Sequence, residues 1–283
     1  MRIIRAIFAS MWMGWQRELG WVNPALSLLL KAAAPVAMVL MAMMVFWFGS
    51  NQAGSLSTAQ VAYGLAYVVI GASLYGQISM YAWVPTSAIA EGKNTNIFPQ
   101  VYITPVSSVP YLAGRCLASF VDSIPIVAIS FTIAYYVSLS LFSYSLPFTI
   151  SPASILMIAV AMFASFPAAL GLGYVLGAYS IFASKLEWAI PSYIAGTLMI
   201  FSEALFPSSV LPSPLSLVSQ ILPFTYFMRA SRAALLDVSY QDYLVFVGYT
   251  ILGGLLLLLL GYAVFKWAER RAKMKGFIDK KTI

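Results

Sequence analysis

Side chains able to do acid–base or nucleophilic chemistry are scarce in this sequence. It has no histidine and a single cysteine, Cys116. A histidine base and a histidine–cysteine metal site are therefore excluded, and Cys116 reads as a small apolar residue inside a helix. Asp122 and Glu203 are carboxylates inside or beside long apolar runs. A carboxylate at hydrocarbon depth costs about 2.5–3.5 kcal/mol on insertion scales, so each must face protein or water. Asp122 is either a charge sensed by a polar substrate or one end of a helix–helix hydrogen bond. Glu203 either lines a path or a subunit seam, or reaches the outer head-group region and pairs with Arg229 or Arg232. Each stands alone in its run, without the paired carboxylates, histidine or serine–lysine set that intramembrane group transfer needs. No Gly-x-x-x-x-Gly-Lys-Ser/Thr phosphate cradle is present, and Gly92-Lys93-Asn94 lacks the preceding pattern. The chain carries no ATP site that this signature would reveal.

The elements that hold these residues are set by composition. Hydrophobic residues make up 61% of the 283 residues and charged residues 9%, with a mean hydropathy of +0.86. Soluble domains carry about 25% charged residues, so this chain cannot face water all round. It reads as an all-α, polytopic integral membrane protein. Residues 1–22 place Ile3, Ile4, Ile7, Phe8, Met11, Trp12 and Trp15 at helical spacing, which predicts an amphipathic helix in the interface. A signal peptide is the competing reading, but no small-residue cleavage site follows. Six spans follow, at 23–48, 61–90, 112–142, 152–183, 188–207 and 243–266, with Lys31 snorkelling back to the near side of the first. Gly171, Gly173 and Gly177 in the fourth suit close helix contact.

The net charge of +7 does not point to nucleic acid, because the basic residues cluster beside apolar runs, where they serve orientation and anionic head groups. Arg2, Arg5, Arg17, Lys93, Arg115, Lys185 and the basic tail at 267–283 all fall on one side of a six-span count. The positive-inside rule puts that side, with both termini, in the cytoplasm. Arg229 and Arg232 are the exceptions, partly offset by Asp237 and Asp242.

Two stretches do not fit simple spans. Residues 91–111 carry both signs of charge and three prolines, so they must face water. They predict a short helix along the membrane surface, with Thr95 or Asn96 as N-cap and Thr104-Pro105 as its stop. Residues 208–232, entered through Phe206-Pro207 and continuing through Leu211-Pro212 and Leu222-Pro223-Phe224-Thr225-Tyr226 to Arg229 and Arg232, are too proline-broken to span and too apolar for an ordinary loop. A re-entrant helical hairpin in the outer leaflet satisfies both facts.

Both stretches resemble the membrane subunits of ABC type-2 exporters. Glu91, Gly92, Thr95, Thr104, Pro105, Val106, Gly114 and Arg115 match the pattern of that family around its coupling helix, which fits a cleft in a separate ATP-binding subunit. Pro99 stands where the family usually has an acidic residue, which allows the helix to begin as late as Phe98. The resemblance implies that Glu91, Gly92, Thr95, Phe98, Val101, Tyr102, Thr104, Pro105 and Arg115 form the partner-coupling site. It also favours the partner over an internal ion pair for Glu91 and Arg115. Pro207, Pro212, Pro223, Tyr226, Arg229 and Arg232 match the region that in the family caps the outer end of the path, where the position of Glu203 is more often glycine. The resemblance further implies ATP-binding partner subunits that hold the ATP and Mg, with no cofactor on this chain, and a second permease copy or paralogue. The function it implies is export of an amphiphilic or hydrophobic substrate, a drug, lipid-linked product or peptide, across the plasma membrane. The rival readings are an intramembrane enzyme and an ion-gradient-driven carrier, the latter requiring an internal inverted repeat that the sequence does not display.

Overall fold

The computed structural model describes residues 2–19, 23–54, 56–95, 97, 100–101, 108–183, 189–236 and 239–276. Every regular element among them is helical: α1 (Arg2–Leu19), α2 (Pro24–Ala53), α3 (Thr58–Asn94), α4 (Ser108–Leu141), α5 (Pro152–Phe182), α6 (Ala189–Phe201), a 3-10 turn (Ser208–Val210), α7 (Ser213–Ile221), α8 (Pro223–Leu235) and α9 (Tyr240–Lys275). Local signals start several of these helices. Asn23 accepts the Ala25 amide ahead of Pro24, Ser57 and Gln60 form a reciprocal capping box, and Ser151 caps α5 ahead of Pro152.

Five helices, α2, α3, α4, α5 and α9, are long and apolar enough to cross a bilayer. The expected fifth span at 188–207 contains the 13-residue α6, shorter than the roughly 20 residues a crossing needs. Its helix stops at Phe201, and Glu203 adopts a left-handed φ of 60° that breaks the helical path. Other helices outrun their apolar stretches. Residues 91–94, which hydropathy assigns to the coupling segment, complete the last turn of α3, and α9 continues to Lys275 through the first half of the expected basic tail.

α3 is the central span: 72% of its most apolar stretch is buried, against 22% for α2 and for α9. It packs on α2, α4, α5, α6 and α8. The most extensive pairing joins α5 and α9. A side chain at Gly171 of α5 would overlap the backbone of Leu257 and Leu258 on α9, so the glycine lets the two backbones approach.

α1 packs along the first half of α4. A Cβ on Gly114 would overlap Ile7 and Ser10 of α1. The opposite side of α1 leaves Ile4, Phe8 and Trp12 exposed. The amphipathic pattern therefore serves two surfaces, a neighbouring helix and an uncovered apolar stripe.

Candidate functional site

Polar and charged side chains concentrate at two levels of α3. One is its C-terminal end. Lys93 is buried, and its ammonium donates to the carbonyls of Ser180 (2.8 Å) and Ile181 (2.7 Å) in the last turn of α5. These are carbonyls that a helix end leaves without intrahelical donors, at the negative pole of its dipole. Arg115, also buried, lies 3.6 Å from the Glu91 carboxylate. The internal pair is formed within this chain. The Arg115 side chain is 6% exposed and Glu91 38%, so Glu91 retains an outward face and Arg115 does not. Gly92 is buried.

Thr95 closes α3. Its amide and its hydroxyl both donate to the Glu91 carbonyl, which makes it the C-cap of α3. Ile97, Gln100 and Val101 are helical, and Val101 packs against the cluster of Ile89, Leu112, Tyr174, Ile181 and Phe265. Asn96, Phe98, Pro99, Tyr102, Thr104 and Pro105 lie outside the described residues.

Beyond the 102–107 segment, Ser108 opens α4 and donates its hydroxyl to Glu269 of α9 at 2.9 Å. Glu269 is 3% exposed, accepts from Lys266 at 2.8 Å and lies 3.6 Å from Lys273. Hydropathy hid this residue, because it sits among the cations that follow an apolar run and reads there as a solvated tail charge. The signal that marks it is spacing: Lys266, Glu269 and Lys273 share one helical face.

The second level involves the N-terminal half of α3. Glu203 accepts the Ser208 amide at 3.0 Å and two bonds from Arg229, at 3.0 and 2.6 Å. The Arg229 guanidinium also reaches the Ser208 hydroxyl at 3.1 Å. Arg232 is buried, donates to the carbonyls of Glu203 and Ala204, and lies over the ring of Tyr67 at 3.5 Å. The carboxylate bond raises Arg229 and burial pulls Arg232 down to about 10, so both are cations at neutral pH. Pro207 precedes the 3-10 turn, Pro212 precedes α7, and Pro223 is the first residue of α8. Tyr226 donates to the Gln220 carbonyl at 2.8 Å and stacks on Tyr249 of α9.

Asp122 belongs to neither level. It accepts from Trp15 of α1 at 3.0 Å and Lys31 of α2 at 2.7 Å. Lys31 therefore ends on a carboxylate of a neighbouring helix, and Asp122 joins three helices. Between α4 and α5 lies an apolar groove of about 530 Å³, lined by Ile124, Phe131, Tyr135, Phe148, Met162 and Leu235.

Comparison with curated proteins gives no match. The family model described as ABC-2 type transporter matches residues 5–236, a stretch that contains Lys93, Arg115 and Ser108 of the first level, Glu203, Arg229 and Arg232 of the second, and every helix from α2 to α8, while Glu269 lies beyond it. The chain belongs to the ABC-2 type transporter family, a multi-pass membrane permease of the ABC transporters.

Proposed function

We propose that this permease is the transmembrane half of an ATP-driven exporter, energised through residues 91–111 by separate ATP-binding subunits that carry the ATP and Mg. The observation that carries the reading is the mounting of this segment. α3 enters it and α4 leaves it, and both helices are tied beside it by buried charges, Lys93 to α5 and Arg115 to Glu91. A segment so held passes a displacement to the bundle instead of absorbing it.

In this reading α6 and the chain beside it supply the fifth of six spans, and the prolines from 207 to 223 support a hairpin that enters the outer leaflet and returns. The positive charges at Arg2, Arg5, Arg17, Lys93, Arg115 and Lys185 support cytoplasmic termini in the plasma membrane. The thinly buried α2 and α9 leave apolar faces for lipid and for a second copy or a paralogue. The apolar groove between α4 and α5 and the internal pairing of Asp122 with Lys31 and of Glu203 with Arg229 support an amphiphilic or hydrophobic substrate over a small ion.

The test is co-purification with a co-expressed ATP-binding subunit, followed by deletion of residues 96–103. The intact chain is expected to retain the ATPase and the deleted chain to lose it while still reaching the membrane. A stable ATPase complex formed by the deleted chain overturns the assignment of the coupling segment.

A further inference from the structure

We propose that Lys93 and Glu269 are the positioning residues through which a displacement of residues 95–107 is delivered to α5 and α9; the inference rests on the coupling reading above. Neither helix adjoins that segment in the chain. Each is nevertheless bonded to one of its ends. At the end where α3 gives way to the segment, Lys93 holds the Ser180 and Ile181 carbonyls of α5. At the other end Ser108, the first residue of α4, holds Glu269 of α9.

The space between is filled by Ala88, Ile89, Leu112, Ile181, Phe265 and Ala268. Such apolar contact is non-directional and tolerates sliding. Two neutral bonds add little restraint: Tyr111 to the Ala88 carbonyl at 3.2 Å, and Tyr174 to the Val109 carbonyl at 3.4 Å. Charge-assisted bonds are shorter and stronger, and they fix register.

Burial sharpens the distinction. Lys93 and Glu269 are each 3% exposed, and an ionised group taken out of water is costly unless its bonds are kept. Sliding α5 past α3 would take Lys93 from both carbonyls of α5, and sliding α9 past α4 would take Ser108 from Glu269 and leave that carboxylate to the cations of its own helix. These bonds favour movement of the four helices at this end as one body, with α5 and α9 following the segment. A purely stabilising role would be filled as well by an apolar side chain of similar volume.

The test uses the full chain assembled with its ATP-binding subunits in proteoliposomes, reading substrate moved per ATP hydrolysed. Lys93→Met and Glu269→Gln are expected to keep the ATPase bound and hydrolysing while the ratio falls about tenfold. Lys93→Arg and Glu269→Asp are expected to restore much of it. Lower stability alone reduces the amount of complex and leaves the ratio where it was. Should the two neutral variants fail to assemble, Ser108→Ala removes one hydrogen bond from Glu269, and the ratio is expected to fall there as well. An unchanged ratio in every variant that assembles, with Val101→Cys still cross-linking to the ATPase, overturns this inference and leaves the coupling reading standing. Failure of the unmutated chain to bind the ATPase, and of Val101→Cys alone to cross-link to it, overturns the coupling reading itself.

Discussion

The two levels of charged contact on α3 are built on opposite plans. From Gly71, beside Ala204 and Arg232, to Lys93 the helix runs about 33 Å at 1.5 Å per residue, close to the thickness of a bilayer's hydrocarbon core. At the Glu203 level the bonds join near neighbours in sequence: Ser208 is 5 residues from Glu203 and Arg229 is 26. At the Lys93 level, beside the nearer Glu91–Arg115 pair, they join distant ones, 87 positions apart for Lys93 with Ser180 and 161 for Ser108 with Glu269. The first plan makes a cap whose charged hydrogen bonds lie within residues 203–232 and which meets α3 where Arg232 lies over Tyr67. The second makes a junction, whose bonds must be carried along or broken by any movement of the helices they join. The same residue types thus fix one short stretch of chain in one place and several remote helices in the other.

The strongest way to break the comparison is to remove Arg229. Its carboxylate partner has a side chain only 5% exposed. Arg229→Ala strands that charge and is expected to cost about 3–5 kcal/mol, read as earlier thermal unfolding in detergent. Glu203→Gly together with Arg229→Ala should recover most of the loss. The double variant removes both charges, and glycine relieves a left-handed backbone that costs other residues about 1–2 kcal/mol. A double variant as unstable as Arg229→Ala alone would show that the cap is not self-contained.

Glu203 also shows how much of this was legible. A carboxylate late in an apolar run, with two arginines beyond it, is enough to suggest pairing. The split of labour is not, because Arg229 takes the carboxylate while Arg232 takes backbone carbonyls and the Tyr67 face, and that depends on the turn geometry after Phe201. The long helices were readable from apolar runs, since hydrophobic length fixes them. Their ends were not: α3 runs on to Asn94 and α9 to Lys275 because buried polar bonds, invisible to hydropathy, hold the last turns. Glycine spacing suggested close contact on α5, whereas nothing in the sequence paired Gly114 with α1. The same blindness hid Lys93 and Glu269, whose charges look like ordinary interfacial ones until their partners, dozens of residues away, are in place.

A smaller effect is expected where α1, α2 and α4 meet. Asp122→Asn removes the ion pair with Lys31, whose side chain is 25% exposed and so keeps water as an alternative. The loss should be about 1 kcal/mol in thermal unfolding, well below that of Arg229→Ala. Transport should continue if the carboxylate only joins helices. Abolished transport by a stably folded Asp122→Asn chain would instead make the residue part of the path, and the contrast between the two levels would need a third term.

Glu91 sharpens the comparison most and disturbs the fold least. At 3.6 Å from Arg115 and 38% exposed, it forms a loose, partly hydrated pair, and Glu91→Gln, which keeps an acceptor beside the buried Arg115, should shift stability by less than about 1 kcal/mol. Its importance lies in direction. Arg115 is turned inward and buried, so Glu91 is the member of the pair that still faces outward where α3 ends. If the junction meets an ATP-binding subunit here, removing this charge with Glu91→Gln should weaken the hold on that subunit while thermal unfolding barely changes. A Glu91→Gln chain that keeps its ATPase at full affinity would move the contact away from the last turn of α3, to the helical residues around Val101, which packs on the apolar cluster.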